Sequence, residues 1–404
     1  MDPVRTQYES YPYPSRDPED ERRRLVTGSP SRLAEIDHYL FRGERDWTAP
    51  FRALIAGGGT GDALIMLATE LSARAAPAEI VYLDLSRASR EIAEARARVR
   101  GLGNIRFETG SLLDAEGLGP FDYIDCCGVL HHLENPAAGL AALTRALSEE
   151  GGLGLMVYGT LGRTGVYDVQ EALKILAPPG EAPKERLATA RSLLSALPPT
   201  SRFKRNPFVG DHLSSDAGLY DLLLHERDRA YGVDEIGALL AQSGLALASF
   251  VPPALYEPET FLQPAELRAR CAGLDTLARA RLAELLGGSL KTHVFYAAPK
   301  ARGATVATPS PSAIPLLLDM DPAALARTCA QGRPLAGTLD GLRLSFPLPR
   351  GCAEAIALVD GRRSFGDIAA ATGLEWEAFQ ERFAPAYRAL NGLNILLMTR
   401  SQVV

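Results

Sequence analysis

The segment Ala56-Gly57-Gly58-Gly59-Thr60-Gly61 connects an apolar run that begins at Phe51 to a segment with helical spacing. Glycines let the main chain turn tightly and approach a ligand without side-chain interference. The helix behind them offers free N–H groups at its N-terminus. Asp84 ends the next apolar run, 23 residues beyond Gly61, where a carboxylate accepts the hydroxyls of a ribose. A glycine loop followed by such an acid predicts a site for a nucleoside-containing cofactor.

Predicted strands and helices alternate outward from this loop. The segments EIVYLDLS (79–86), NIRFETGS (104–111), FDYIDCCGVLHHL (121–133) and GLGLMVYG (152–159) are apolar enough for buried strands, and helical patterns separate most of them. One more helix–strand pattern and a closing strand follow before residue 300. This alternation predicts βαβ units in an α/β fold with a doubly wound, Rossmann-like parallel sheet.

Composition divides the chain into units. Residues 1–48 are polar, aromatic and proline-rich, which indicates a covering arm; residues 49–300 form the α/β domain, with a helical insertion at about 160–231. Residues 301–315 have the composition of a linker. Residues 316–404 predict a small winged-helix-like α+β module, with the order helix, turn, helix, helix, short apolar strand. Equal numbers of basic and acidic residues there argue for a protein contact or simple packing rather than DNA binding.

The overall composition argues against several classes of function. Of 404 residues, 46% are hydrophobic and 23% charged, which is typical of a folded globular chain. A net charge of −6 lacks the basic surplus of most nucleic-acid-binding proteins, so no nucleic-acid partner is expected. No apolar run approaches the length of a membrane-spanning helix and no secretory signal is evident, so no membrane partner is expected. Five cysteines without a CxxC pair predict reduced thiols in a cytoplasmic protein and no metal site.

The ordered motifs between residues 51 and 160 carry a family resemblance. LIAGGGTG, VYLDLS, ETGSLLD, FDYIDCCGVLHHLENP and GGLGLMVYG follow one another in this range. The series resembles the class I S-adenosylmethionine-dependent methyltransferases. The resemblance implies that S-adenosylmethionine is the cofactor and S-adenosylhomocysteine the product. A Rossmann-like domain that binds another nucleotide is the alternative.

The resemblance also implies roles for particular residues. The glycine loop would lie close to the methionyl part and the ribose of the cofactor, and Asp84 would hold the ribose hydroxyls. The end of the third strand would border the adenine, and the end of the fourth strand would border the sulfonium. The implied cofactor-binding residues are Gly57, Gly58, Gly59, Gly61, Asp84, Leu85, Ser111, Leu112, Gly128 and Val129. The family commonly has an acid at the position of Ile55, which helps to place the cofactor's amino group. Asp62 or a tyrosine of the arm is expected to compensate.

The arm strengthens the resemblance. Gln7-Tyr8-Glu9 and Tyr11-Pro12-Tyr13-Pro14 resemble a segment of the bacterial outer-membrane-protein lysine methyltransferases. There the segment is expected to fold over the cofactor as a lid, which implies cofactor contacts for Tyr8 and Tyr13. The alternative is that this cluster of tyrosines and prolines packs on the surface.

Candidate residues for the acceptor side follow the fourth and fifth strands and lie in the insertion. His131, His225 and Tyr158 are the candidate catalytic residues, whereas a structural role is favoured for His132. Arg163 and Tyr167 are candidate substrate contacts; an ion pair that anchors the insertion is the alternative for Arg163. The neighbouring acids Asp221, Glu226 and Asp228 would suit a cationic acceptor such as lysine; the alternative is that this segment is a solvated, charged helix end.

Three functions follow from these patterns. The first is methyl transfer to a nitrogen, with a lysine of a protein or peptide as the expected acceptor. The second is methyl transfer to a hydroxyl, carboxyl or amine of a small molecule, since the VLHHL turn is common among such enzymes. The third is a non-catalytic, cofactor-binding regulatory protein. A homodimer is left open.

Overall fold

The computed structural model describes residues 3–400, and its centre is a seven-stranded sheet. The strands follow one another in the order β3-β2-β1-β4-β5-β7-β6. Strands β1 to β5 are parallel, whereas β7 runs antiparallel to both β5 and β6. The predicted doubly wound α/β fold is confirmed, with the correction that its closing strand is antiparallel. The strands are β1 (Phe51–Ala56), β2 (Ala78–Asp84), β3 (Ile105–Thr109), β4 (Phe121–Cys127), β5 (Leu147–Tyr158), β6 (Leu245–Val251) and β7 (Thr292–Pro299).

Sixteen α-helices occur within residues 3–400. None of the helices in this part of the chain is long and apolar enough to cross a membrane. The helices are α1 (Pro3–Ser10), α2 (Leu33–Leu40), α3 (Asp62–Ala73), α4 (Arg87–Arg100), α5 (Pro136–Arg145), α6 (Val166–Leu176), α7 (Pro183–Ala196), α8 (Arg202–Arg205), α9 (Asp216–Leu223), α10 (Val233–Gln242), α11 (Ala265–Cys271), α12 (Thr276–Gly287), α13 (Pro322–Ala330), α14 (Ala353–Ala357), α15 (Phe365–Ala371) and α16 (Trp376–Gly392).

Local sequence signals set the bounds of the helices beside the glycine loop. The Ser86 hydroxyl accepts a hydrogen bond from the Ser89 N–H and so caps the start of α4. Gly101 ends that helix with a φ of 70°, a left-handed conformation that glycine adopts without strain. Helix α3 begins directly after Gly61, so the glycine loop lies between the end of β1 and a helix N-terminus. This geometry directs main-chain N–H groups toward the edge of the sheet.

Both faces of the sheet are covered. Leu54 of β1 packs in a core with residues of β4, β5, α5 and α10, whereas Ile55 packs on the opposite face with residues of α2 and α3. Side chains alternate along a strand, which explains why both neighbours are buried. The near-continuous apolar sequence of β1 is therefore the expected pattern for a strand between two helical layers.

The insertion and the last unit add separate clusters. Helices α6 to α9 share an apolar cluster that also contacts Tyr11 of the arm. The last unit contains β8 (Ile314–Leu317), a hairpin of β9 (Leu335–Leu339) and β10 (Leu342–Phe346), and β11 (Leu396–Thr399), which pairs with β8. The hairpin lies between α13 and α14 and precedes the last three helices. The winged-helix prediction is therefore not confirmed, although the predicted final helices and strand are present.

The last unit packs against the arm. The Met398 N–H donates to Nδ1 of His38, and the Thr399 hydroxyl donates to Asp37. Both acceptors are buried in α2, a helix that the sequence analysis did not predict. Contacts between residues about 360 positions apart thus connect the first and last parts of the chain.

Candidate active site

A cavity of about 370 Å³ opens at the carboxyl ends of β1, β2, β4 and β5, beneath the arm. Its volume lies in the range of ~300–1,000 Å³ that is typical of small-molecule sites. Ligands of open α/β sheets bind at this edge, where the strand order reverses. The predicted site residues that line the cavity are Tyr8, Tyr13, Gly57, Gly58, Gly59, Asp62, Asp84, Leu85, Ser111, Leu112, Gly128, Val129 and Tyr158.

The other predicted site residues lie behind the cavity wall. Gly61, with a φ of 100°, precedes α3, and a Cβ there would approach the Cβ of Ala93 at 3.0 Å. Its role in this structure is the turn into the helix. The remaining predicted residues that do not line the cavity are His131, Arg163, Tyr167 and His225.

The glycine loop presents bare main chain to the cavity. Gly57 has a φ of 74°, and a Cβ at this position would lie 2.4 Å from a methyl carbon of Val129. A Cβ at Gly58 would lie 2.4 Å from the ring of Tyr82, whose hydroxyl donates to the Gly59 carbonyl. Side chains therefore cannot be accommodated at either position without displacing a neighbour. This cradle fits a ligand that contacts the main chain closely.

Asp84 is held at the end of β2 by main-chain donors. The Gly59 N–H and the Ser86 N–H each donate to one of its oxygens, at 2.8 and 2.7 Å. Burial raises the pKa of Asp84, and these hydrogen bonds oppose that rise. Each oxygen keeps a further lone pair, so the carboxylate fits a ligand with two neighbouring hydroxyls.

Asp62 is already paired with arginines. Arg16 of the arm and the buried Arg96 both donate to its carboxylate. Burial opposes ionisation of Asp62, but the two guanidinium groups hold its pKa below the ordinary value. Arg96 also binds Glu21, which fastens the arm to α4. The two guanidinium groups already neutralise the Asp62 carboxylate, so it is a poor partner for a cationic ligand.

Further contacts hold the arm across the cavity. The Thr60 hydroxyl donates to the Pro14 carbonyl, and the Ser86 hydroxyl donates to the Tyr8 carbonyl. The Glu9 carboxylate accepts the N–H groups of Arg87 and Ala88 at the N-terminus of α4. Residues 8–16 thus contact the glycine loop on one side and the end of β2 on the other.

Asp125 is a cavity residue that the sequence analysis missed. It lies on β4 with its Cα paired with that of Ile55, is 2% exposed, and lines the cavity. Its carboxylate accepts the Ser31 hydroxyl at 2.6 Å, and burial raises its pKa to about 6. Within residues 3–400 no cationic side chain pairs with it. The available signal was that Asp125, like Asp122, is an acid inside the strand sequence FDYIDCC.

Asp221 is a second buried carboxylate without a cationic partner in the described residues. It lies on α9, lines the cavity at the end of β5 and is 5% exposed. The Tyr8 hydroxyl donates to one oxygen at 3.0 Å and the Tyr158 hydroxyl to the other at 3.1 Å. Burial raises the pKa of all three groups, so both phenols remain protonated donors.

Arg163 and Tyr167 support this arrangement from behind. The Arg163 guanidinium lies 3.8 Å from the centre of the Tyr158 ring and pairs with the buried Asp228 at 2.6 Å. It also donates to the Tyr167 hydroxyl at 3.3 Å. This is the anchoring role that the sequence left open for Arg163, since the guanidinium positions Tyr158 and the insertion.

Three histidine rings contact Tyr8 and Tyr158. His131 stacks on Tyr158, and His132 stacks on His225 at 3.7 Å with an angle of 15° between the rings. Ligand atoms of His132, Asp221 and His225 lie within 4.8 Å of one another. The three side chains therefore form one buried polar cluster beside the cavity.

Comparisons with known proteins agree with the fold and the cavity. The family model "Methyltransferase domain" matches residues 54–153, the range from β1 into β5 that forms most of the cavity. The chain belongs to the class I S-adenosylmethionine-dependent methyltransferases, and its predicted cofactor and enzymatic nature are confirmed.

Individual relatives extend the similarity beyond that domain. An uncharacterized protein of Synechococcus sp., syc1184_c, is 31% identical over 297 residues, which are 72% of this chain and 69% of the relative. PKMT2 from Rickettsia typhi has a similar structure, with a TM-score of 0.64 for its complex with AdoHcy, 14% identity, and coverage of 91% of this chain and 75% of that chain. At this identity the second likeness shows a shared fold.

Proposed function

We propose that this methyltransferase acts on a nitrogen nucleophile, the side-chain amine of a lysine in a protein or peptide. The observation that carries the proposal is Asp221, a buried carboxylate that lines the cavity without a cationic partner in the described residues. A buried charge of this kind is costly unless a ligand compensates it. An ammonium group has the charge and the hydrogen-bond donors that Asp221 lacks.

The cofactor would be held by the part of the cavity around the glycine loop. Asp84 would accept the ribose hydroxyls, while Leu85 and Leu112 would border the adenine. Asp125 would accept the cofactor's ammonium group, because it lies beside Ile55 and, unlike Asp62, has no arginine partner in the described residues. When bound, the cofactor supplies a methyl group already activated by a sulfonium.

The acceptor would occupy the end of the cavity beside Tyr8, Tyr158 and Asp221. The carboxylate attracts the ammonium form, and the two phenols hold its oxygens in fixed directions. Positioning the nitrogen within about 3–3.5 Å of the methyl carbon supplies much of the rate enhancement. The arm contributes Tyr8 to this end and also contacts the glycine loop, so it excludes water from the cofactor and the acceptor together.

A small amine is the second candidate acceptor. The arm lies across the cavity, and Tyr8 is part of the cavity wall. A covered cavity favours a compact acceptor over a folded polypeptide. A lysine side chain is long and narrow, so it reaches the covered cavity only through an opening beside the arm. The resemblance of the arm to that of bacterial lysine methyltransferases supports the protein acceptor.

Labelled methyl transfer tests the proposal. The purified enzyme is incubated with methyl-labelled S-adenosylmethionine and a dialysed or undialysed lysate, and products are separated by size and hydrolysed to amino acids. Label recovered as methyllysine in the protein fraction is the expected result; label in an amine of low mass selects the second candidate. Label found only in ester or ether products contradicts an amine acceptor.

A pair of variants on one helix tests the role of Asp221. Asp221→Asn should reduce transfer by about 100-fold while binding of S-adenosylhomocysteine is retained, because a charged hydrogen bond to the acceptor is lost. Asp216→Asn is the matched control, since Asp216 lies on the same helix, is exposed and pairs with Arg191 away from the cavity. Equal activity of both variants would contradict the assignment.

A further inference from the structure

The three histidines beside the acceptor end differ in where they carry their hydrogen. A ring nitrogen that receives an N–H must be unprotonated, whereas one that faces a carbonyl oxygen must carry hydrogen, because a carbonyl only accepts. In a neutral imidazole the second nitrogen then has the opposite state. The contacts of His131, His132 and His225 therefore fix the tautomer of each ring.

His131 and His225 have their acceptor nitrogens occupied by main-chain donors. The Tyr158 N–H donates to Nδ1 of His131 at 3.3 Å, and the Arg227 N–H donates to Nδ1 of His225 at 3.0 Å. Burial lowers the pKa of both imidazoles well below the ordinary value, so both stay neutral with hydrogen on Nε2. The Nε2–H of His225 then donates to the Tyr8 oxygen at 3.3 Å, while the Tyr8 hydroxyl donates to Asp221.

His132 has the opposite arrangement. Its Nδ1 lies 2.8 Å from the carbonyl oxygen of Arg227, so Nδ1 carries hydrogen, and in the neutral ring the lone pair is on Nε2. Among the described residues it is the histidine that lines the cavity. His225 stacks on one face of its ring, and Tyr8 and Tyr158 contact it edge-on.

We propose that Nε2 of His132 is the base that removes a proton from the acceptor ammonium before methyl transfer. The inference rests on the proposed function. One N–H bond of the acceptor breaks, its electron pair stays on the acceptor nitrogen, and the proton forms an N–H bond at Nε2 of His132. The step needs no other reactant. It gives His132 a catalytic role, where the sequence analysis had favoured a structural one.

The surroundings of His132 suit this step. The titratable and charged groups around the ring are Tyr8, His131, Tyr158, Asp221, His225 and Arg227. Asp221 offers a ligand atom within 4.8 Å of one on His132, so a carboxylate lies close to the ring that would receive the proton. The Arg227 carbonyl fixes the ring by binding Nδ1–H in both protonation states. General bases placed in this way typically contribute ~10²–10⁴-fold in rate.

The tautomer is measured without any acceptor. Long-range proton–nitrogen correlation spectra of the uniformly labelled full chain distinguish a neutral imidazole with hydrogen on Nδ1 from one with hydrogen on Nε2. The His132 signals are assigned by their loss in His132→Asn. We expect the Nδ1–H form for His132 and the Nε2–H form for His131 and His225. An Nε2–H tautomer at His132 would overturn the proposal.

The rate tests the base itself. In His132→Asn the amide nitrogen replaces Nδ1 and can still donate to the Arg227 carbonyl, whereas Nε2 is lost. We expect transfer of labelled methyl to the protein fraction to fall about 100-fold or more at pH 7, with affinity for S-adenosylhomocysteine changed less than about twofold. The deficit should shrink as the pH rises toward about 10.4, where a free lysine loses its own proton.

Two comparisons separate this role from the alternatives. His212→Asn, outside the cavity, should retain the wild-type rate and pH profile. A deficit in His132→Asn that is the same at every pH would indicate a structural role and overturn the proposal. If the wild-type enzyme instead labels a hydroxyl or carboxyl, the proposed amine acceptor fails, while the spectra still report whether His132 presents an unprotonated Nε2.

Discussion

Replacing Asp125 by asparagine isolates the charge of one buried carboxylate. The substitution preserves the size of the side chain and an oxygen that accepts the Ser31 hydroxyl, so the fold should be retained. In the wild type, Asp125 would contribute a hydrogen bond to the cofactor's ammonium group, and a hydrogen bond to a charged group is worth about 1.5–3 kcal/mol. Because 1.4 kcal/mol corresponds to a factor of ten, S-adenosylhomocysteine should bind ~10- to 100-fold more weakly to the variant.

Calorimetry with two ligands measures this effect. S-adenosylhomocysteine carries the ammonium group, whereas 5′-methylthioadenosine has the same nucleoside and sulfur without it. Only the first ligand should lose affinity in Asp125→Asn. An equal loss for both ligands, or no loss for S-adenosylhomocysteine, would refute the assignment of Asp125 to the ammonium group.

The pH dependence gives a second signature of the same contact. Burial raises the pKa of Asp125 to about 6 in the free protein, and a bound cation favours the ionised form, so the pKa is lower in the complex. The affinity for S-adenosylhomocysteine should therefore be highest above pH 6 and should decline as the pH falls below 6. The Asp125→Asn variant should lack this decline.

Three further perturbations have defined outcomes. Gly57→Ala should abolish binding of S-adenosylhomocysteine in calorimetry because the new Cβ meets Val129 at a positive φ, whereas Gly103→Ala, with nothing within 4 Å, should bind normally. Arg96→Met should lower the free energy of unfolding by ~3–5 kcal/mol in urea, since it leaves the buried Glu21 without one of its arginine partners; an unchanged urea midpoint would contradict this. Tyr8→Phe should slow methyl transfer by about tenfold, because Asp221 loses one donor; undiminished transfer would show that the arm does not build the acceptor end.

The sequence was most informative where function depends on contiguous residues. The glycine loop, the acid at the end of β2 and the alternation of strands and helices are local patterns, since close main-chain approach, a capped helix and a doubly buried strand each require particular residue types at short spacing. They predicted the α/β fold and its cofactor, both confirmed. The antiparallel direction of β7 has no such local signal, because strand direction depends on how a distant connection returns to the sheet.

The acceptor end required the folded chain. Tyr8, Tyr158 and Asp221 belong to three elements, and the hydrogen bond between Tyr8 and Asp221 joins residues 213 positions apart. His131 and His132 are adjacent in the sequence but differ in position. The ring of His131 is buried against Tyr158, whereas His132 lines the cavity. Burial and hydrogen-bond partners set the charge and the tautomer of each group, and both are properties of the packed environment rather than of residue type or spacing.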